Sequence, residues 1–428
     1  MEFVVAAGGS RGDVQPAVAL GGELVDRGHV VTMMVPPNLT AFVEGAGLTA
    51  ISYGENTKDV LDSDLVRNDL RSRNPRTRLR AVADLTVRGG RTMQQQLLDA
   101  CTTADAIVAG SVGQERAHNV ARARGLPHIP LHLCPLRTNG STSMLAHLGI
   151  DPPPPLARLS WRALEWTLWL AGRSAEKTLC DDLGITPARA PFAHQIAATG
   201  VPEIQAYDPA MFPGLVDEWG TRRPLVGFFT LPGRLRKGVG DSSSDDVAGW
   251  IDAGPPPVYV GFGSMAPADP DALATAIQVA AEHLDVRLLV AGGWSGFMAG
   301  AADDRIHVVD HVDHDAILPR CAAAVHHGGA GTVAAVLRAG IPSVITWIGA
   351  DQPIWGRAVT ASHVGTSLPM SQVQPARLVD ALSAALTVPT RRAAAHLARE
   401  LISPGEAVAA AADIAERVVE GRSREHSF

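Results

Sequence analysis

An α/β fold of two doubly wound, Rossmann-like domains is what this sequence predicts, on three observations. Short, continuous apolar runs alternate with helix-patterned stretches in both halves of the chain, the signature of parallel strands buried on both faces. The alternation breaks near residue 150 and at a Gly- and Ser-rich stretch around 232–247, then restarts. At 428 residues the chain is also longer than one core usually supports, so two domains are expected.

The first run, Phe3 to Ala7, predicts a buried strand. GGSRGD follows at residues 8–13 and contains Arg11-Gly12-Asp13, a tripeptide that acts as an adhesion signal only on an exposed loop tip. Its flanks point elsewhere. After Asp13 the apolar residues Val14, Val18, Leu20, Leu24 and Val25 take near-helical spacing, with Pro16 in the first turn and Gly28 at the end. Val30 to Val35 then predicts a second strand. GGSRGD is thus the first turn of a βαβ unit, at the carboxyl edge of a sheet, where open α/β folds bind ligands.

Further strands are predicted at 49–52, 105–109 and 128–133. Pro152 to Pro155 must be extended, and a helix rich in Trp and Leu follows at about 157–183; the spacing of Trp161, Trp166 and Trp169 favours core packing over a lipid platform. In the second half, strands are predicted at 258–262, 287–291, 306–309, 322–326 and 343–347, with a helix at about 271–283. The expected division is an acceptor-side Rossmann-like domain, 1–231, a solvated linker, 232–247, and a second Rossmann-like domain, 248–405. A helix in 406–428 is expected to return to the first domain and end in a disordered tail.

The net charge of −7 argues against a general nucleic-acid binder. No apolar stretch approaches the roughly 20 residues of a membrane span, and the apolar run at the start lacks a basic flank and is too short for a signal peptide. Cys101, Cys134, Cys180 and Cys321 are scattered, with no CxxC pair, which fits reduced thiols in a cytoplasmic protein. Arg67 to Arg91 holds eight Arg against two Asp. That density suits an anionic surface or headgroup, such as the inner face of the membrane; it equally suits a solvated loop.

Neither first strand is followed by G-x-G-x-x-G, and there is no P-loop, so dinucleotide and P-loop chemistry lose their usual support. The densest signal is VHHGGAGTVAAVLRAGIP, residues 325–342. A strand ends there, His326 to Thr332 turn, and a helix starts at Val333. Such a turn offers free backbone N–H groups and a helix dipole to an anion. Glycines allow close approach, Thr332 adds a hydroxyl and His327 a side-chain donor; a pyrophosphate fits. The alternative is a glycine turn with two surface histidines. ADQPIWGR follows, with Asp351-Gln352 just past the strand 343–347. A carboxylate beside a carboxamide can hold several vicinal hydroxyls of a sugar, or Asp351 can cap the next helix. Both roles are compatible.

GGSRGDVQP, VGFGSM, DHVDHDAILPR, HHGGAGTV and ADQP, in this order, resemble the inverting GT-B glycosyltransferases over nearly the whole chain. Within them the resemblance is to the bacterial natural-product and cell-envelope branch of UDP/dTDP-glycosyltransferases, which includes glycopeptide-antibiotic enzymes and actinobacterial enzymes of the glycopeptidolipid type. It implies a hexosyltransferase that moves sugar from a dTDP- or UDP-sugar to a hydroxyl of a hydrophobic acceptor, with no metal or other cofactor. Carried over by position, His327, Gly329, Ala330, Gly331, Thr332 and Ser264 would hold the donor diphosphate, with Ser10, Arg11 and Gly12 reaching it across the cleft. Asp351 and Gln352 would hold the donor sugar, and His311 and the Val312 backbone the nucleobase. Asp13 would be the general base. Two departures concern the base site: imidazole replaces the family's stacking indole at His311, and Asp313 stands where a proline usually follows. A helix N-terminus is expected to hold Asp13 ionised with a low pKa, a weak base. The competing functions are a GT-B-fold sugar-nucleotide epimerase, which would need no acceptor pocket, and a nucleotide-sugar binding protein without turnover. The apolar segment 136–183 favours an acceptor, and an intact Asp13 and Asp351 favour turnover.

Overall fold

The computed structural model describes the chain apart from residues 57–74, 146–149, 151, 237–244, 264–268, 293–296, 299–303, 311 and 426–428, and the side chains of 75–85, 245 and 423–425. Two six-stranded parallel sheets organise it. The first contains β1 (Glu2–Ala6), β2 (Val30–Val35), β3 (Thr49–Ser52), β4 (Ala106–Ala109), β5 (His128–His132) and β6 (Ile204–Gln205), in the order β3-β2-β1-β4-β5-β6. The second contains β7 (Val258–Gly261), β8 (Leu288–Ala291), β9 (Ile306–Val309), β10 (Ala323–His326), β11 (Ser343–Trp347) and β12 (Gly365–Pro369), in the order β12-β11-β10-β7-β8-β9.

The apolar runs form the central strands. Phe3, Val4, Val5 and Ala6 of β1 are buried, as are all four residues of β4, β7, β8 and β10. β1 lies between β2 and β4, with Val4 opposite Thr32 on one side and Ile107 on the other. Strand order reverses at β1/β4 in the first sheet and at β7/β10 in the second, and a doubly wound sheet binds ligands outside the carboxyl ends at such a point. The turn after β1 is GGSR and the turn after β10 is HGGA.

Several boundaries differ from expectation. The sequence pattern does not predict β6 or β12. β6 is only two residues long, and β12 is a half-buried edge strand with Gly365 and Pro369 at its ends, both residues that weaken a strand signal. Pro154 and Pro155 are not extended: with Pro153 as an extended N-cap they form the first turn of the helix Pro154–Asp182, where a missing N–H costs nothing. The expected linker is helical at both described ends, Gly233–Arg236 and Asp245–Asp252; 237–244 lie outside the described residues. The Trp positions divide: Trp161 is buried and donates to the Thr142 carbonyl at 3.0 Å, while Trp166 is 42 % exposed. Of Arg67–Arg91, residues 67–74 lie outside the described residues and the rest begins the helix Pro75–Ala100.

The last helix, Pro404–Glu425, packs on α1 (Arg11–Asp26), and its Ala407, Ala411 and Ala415 join the core cluster of Phe3 and Val5. Arg27, at the end of α1, pairs with Asp413 at 2.6 Å and Glu416 at 2.8 Å. The tail 426–428, expected to be disordered, lies outside the described residues. A second apolar cluster spans both halves: fully buried Trp355 meets Tyr207, Phe212 and Phe228 with ring centroids 6.1, 5.3 and 5.9 Å apart. All four cysteines are buried and free.

Candidate active site

Two strand-to-helix turns, one from each sheet, form the site. In the first, Ser10 is the N-cap of α1 and Asp13 occupies its third position. Asp13 Oδ2 accepts from the Ser10 backbone N–H at 2.8 Å and from Ser10 Oγ at 3.0 Å. This reciprocal capping arrangement satisfies orphan donors of the helix start. Gly9 has φ +105°, and a Cβ there would lie 2.4 Å from Asp13 Oδ2, so glycine is needed both for the turn and for the carboxylate's place. The cap is therefore Ser10, and Asp13 folds back on it. Arg11 lies over the Phe42 ring at 4.7 Å and donates from Nε to Gln15 Oε1 at 3.1 Å. The RGD tripeptide is the first turn of a helix, not a loop tip.

The expected low pKa of Asp13 is reversed. Burial pushes its carboxyl above the ordinary range, more than the Ser10 N–H and hydroxyl pull it down. The cleft walls outweigh the helix end, making Asp13 a stronger base than its position in sequence implies.

In the second turn, His326 is fully buried; its Nδ1 accepts from the Gly328 N–H at 3.2 Å and its Nε2 meets Ser343 Oγ at 3.2 Å. Gly328, with φ +88°, lets the chain reverse. His327 points into the cleft over Gly329, where a Cβ would lie 2.5 Å from Nε2. Neither is a surface histidine. Nδ1 of His327 is buried without a partner among the described residues, and the Gly261 carbonyl lies close to the ring. Burial lowers the pKa of His327 to about 4, so the ring is neutral at pH 7. Gly329 is the N-cap of the helix Ala330–Arg338. The N–H groups of Ala330, Gly331 and Thr332 have no acceptor among the described residues, a helix end of the kind that can take an anion.

Asp351 and Gln352 divide their work. Asp351 precedes the helix Gln352–Ala361 but makes no side-chain cap bond. Its Oδ2 instead accepts from Trp355 Nε1 at 3.1 Å, and its carboxylate also accepts from the Cys134 thiol. Burial, joined by the charge of Asp13, raises its pKa to about 6. Gln352 is buried, and its Oε1 accepts from the N–H groups of Ile348 at 2.7 Å and Gly349 at 3.3 Å, fixing the preceding loop. Asp13, Cys134 and Asp351 thus form one cluster between the two sheets. Burial, then the charges of Asp351 and Asp13, keep the Cys134 thiol protonated.

Ser264 and His311 lie outside the described residues. Val312 is half-buried against the cluster of Leu289 and Ile341. Asp313, the departure from proline, caps the short helix His314–Ile317 by accepting from the Asp315 N–H at 3.0 Å. His314 is no loose surface residue: its Nε2 meets the Tyr259 hydroxyl at 2.9 Å. Sequence reasoning missed Cys134 and Trp355. Cys134 was findable, because it follows the predicted strand 128–133 at the same carboxyl edge as GGSRGD.

Two facing doubly wound domains with an anion-binding helix end and a carboxylate cluster at their switch points define a GT-B glycosyltransferase. Residues 3–118 match the glycosyltransferase family 28 N-terminal domain and residues 280–420 the erythromycin biosynthesis protein CIII-like C-terminal domain. An uncharacterized glycosyltransferase of Mycobacterium tuberculosis is 38 % identical over 417 residues, covering 97 % of this chain and 98 % of its own. The chain belongs to this glycosyltransferase family, and it is an enzyme of that class. A sterol 3-beta-glucosyltransferase of Arabidopsis thaliana is 31 % identical over 94 % of this chain and 63 % of its own. Among solved structures, the glycotransferase of kitacinnamycin superposes with a TM-score of 0.71 at 21 % identity, covering 97 % of this chain and 98 % of its own. The glycosyltransferase VinC in complex with dTDP does so with a TM-score of 0.59 at 19 % identity, covering 98 % and 100 %.

Proposed function

We propose that the protein is an inverting hexosyltransferase that moves sugar from a nucleoside-diphosphate sugar, dTDP- or UDP-linked, to a hydroxyl of a hydrophobic acceptor. The observation that carries this is the pair of carboxylates, Asp13 and Asp351, brought together from the switch points of two sheets beside the start of the helix Ala330–Arg338. Asp13 Oδ1, the oxygen not used by Ser10, takes the proton of the acceptor hydroxyl. The acceptor's hydroxyl oxygen attacks the anomeric carbon from the face opposite the diphosphate, and the bond from this carbon to the diphosphate oxygen breaks. The free amides of Ala330, Gly331 and Thr332, with His327, Ser264 and Arg11, receive the leaving charge. Asp351 and Gln352 hold the sugar, and His311 with Val312 the nucleobase.

The sterol 3-beta-glucosyltransferase among the relatives and the dTDP bound by VinC support a lipid-like acceptor and a nucleotide donor. The helix Pro154–Asp182 also exposes Leu156, Leu159, Trp166 and Leu170 at spacings of three, seven and four, a solvent-facing apolar stripe. It packs beside the Arg-rich helix Pro75–Ala100. An exposed apolar stripe suits an amphiphilic acceptor at the cytoplasmic membrane face. The test is a screen of nucleotide release with dTDP- and UDP-sugars against lipid, peptide and polyphenol acceptors, followed by the anomeric configuration of the product. A product that retains the donor's configuration rejects the single-displacement reading.

Two further results are expected. His327→Ala weakens donor binding about tenfold or more, since a hydrogen bond to a charged group contributes about 1.5–3 kcal/mol; calorimetry with unchanged affinity removes His327 from the site. EDTA leaves turnover intact, because the helix end, His327 and Arg11 supply the charge compensation. Activity abolished by EDTA and restored by magnesium refutes that assignment.

A further inference from the structure

At the opposite end of the first sheet, by the amino end of β5, a cleft of about 460 Å³ lies between the protein body and the last turns of the helix Pro404–Glu425. Asp13 sits past the carboxyl end of β1 in the same parallel sheet, so this cleft is not part of the catalytic one. Its charged and titratable lining is Arg122, Arg417, Arg422, His118 and His128, with no carboxylate among the described residues, in a chain of net charge −7.

The two histidines are the second observation. His118 is 3 % exposed and His128 4 %, and their rings lie 5.6 Å apart. Nδ1 of His118 and both ring nitrogens of His128 have no hydrogen-bond partner. Buried polar groups are nearly always paired. Arg122 donates to the Thr186 carbonyl at 2.7 Å, and neither Arg122 nor Arg417 pairs with a carboxylate among the described residues.

We propose that this cleft is a second ligand site, for the di- or polyphosphate group of a small molecule. Arg122 and Arg417 line it from two elements. Guanidinium forks match phosphate oxygens in geometry, and a multiply charged anion supplies acceptors for both. The cleft exceeds the volume of inorganic phosphate and leaves room for an attached group. Arg122 belongs to the helix Gln114–Arg124, whereas Arg417 and Arg422 belong to the C-terminal helix. The ligand therefore bridges that helix to the body whose core it completes, and ligand binding raises stability.

Pyrophosphate is the probe, titrated by calorimetry into the full-length wild type, His327→Ala, Arg122→Gln/Arg417→Gln, and the combination. Imidazole ¹⁵N resonances of His118 and His128 are followed in the same titrations. The wild type and His327→Ala are expected to bind pyrophosphate with shifts at His118 and His128 and a higher unfolding midpoint. Arg122→Gln/Arg417→Gln is expected to lose at least tenfold in affinity for this site and to lose those shifts, while sugar transfer continues at the wild-type rate. Unperturbed His118 and His128 resonances in the wild type overturn the proposal. So does unchanged affinity with unchanged shifts in Arg122→Gln/Arg417→Gln, or in Arg417→Gln alone should the double variant not fold.

Discussion

Asp13→Asn is expected to leave a folded, donor-binding protein whose sugar transfer is about 10²- to 10⁴-fold slower, the usual cost of losing a positioned base. The structure sharpens this expectation because only one oxygen of Asp13 is held by Ser10. Oδ2 accepts from the Ser10 N–H and hydroxyl at 2.8 and 3.0 Å, and an asparagine carbonyl oxygen can take over both bonds. The capped turn should therefore survive with an unfolding midpoint near that of the wild type. What asparagine cannot do is accept a proton at the second oxygen. The pH profile gives an independent check. Burial holds the Asp13 pKa above the ordinary carboxylate value, so the folded protein binds this proton more tightly than the unfolded chain. The stability tied to that group is present at low pH and declines as pH rises through the folded pKa, whereas activity needs the ionised form and rises over the same interval. An acid limb in kcat/KM, displaced above the range of a free carboxylate, is the expected signature. Near-normal turnover by a stably folded Asp13→Asn protein would reduce SRGD to a capped turn.

The contrast between those roles shows how far sequence carries. The doubly wound architecture was legible because β1, β4, β7 and β10 are buried on both faces and so read as unbroken apolar runs. The glycine turns were legible because Gly9 and Gly328 must take positive φ, at 105° and 88°, and no other residue does so cheaply. Burial at the site was not legible. The helix N-terminus near Asp13 is written locally, but the walls that raise its pKa come from elsewhere in the chain, and Asp351 reaches it from 338 positions away. The same distance hid Cys134, a thiol whose significance lies wholly in the carboxylate it meets. His327 was legible as part of the glycine turn; its burial and neutrality required the fold. The short edge strands β6 and β12 carry too few buried residues to register as a pattern.

Trp355→Ala is expected to have the largest effect on stability, and Trp355→Phe to separate that effect from function. Trp355 is fully buried against Tyr207, Phe212 and Phe228, so truncation leaves a cavity in the cluster that spans both halves. Loss of a buried Trp side chain costs about 3–5 kcal/mol. The seat it occupies is stiff: Tyr207 donates to Gln205 Oε1 at 2.8 Å, and Gln205 bonds His132 at 3.0 Å, next to the Arg137–Glu203 pair at 2.6 Å. Collapse around the cavity is thereby limited, which places the cost toward the upper part of that range. Phenylalanine keeps an aromatic ring in this cluster but removes the indole N–H that Asp351 Oδ2 accepts at 3.1 Å. Asp351 then relies on the Cys134 thiol alone among its side-chain donors, and its pKa, already about 6, moves further up. If Asp351 holds the donor sugar, Trp355→Phe raises the KM for the nucleotide sugar and moves the acid limb upward, while the affinity for the free nucleotide diphosphate stays as in the wild type. A purely structural Trp355 predicts something different: equal small losses in every parameter, with no change in the pH profile. Steady-state kinetics across pH, beside calorimetry with the nucleotide alone, distinguish the two, and an unshifted acid limb with unchanged KM would leave Trp355 as packing only.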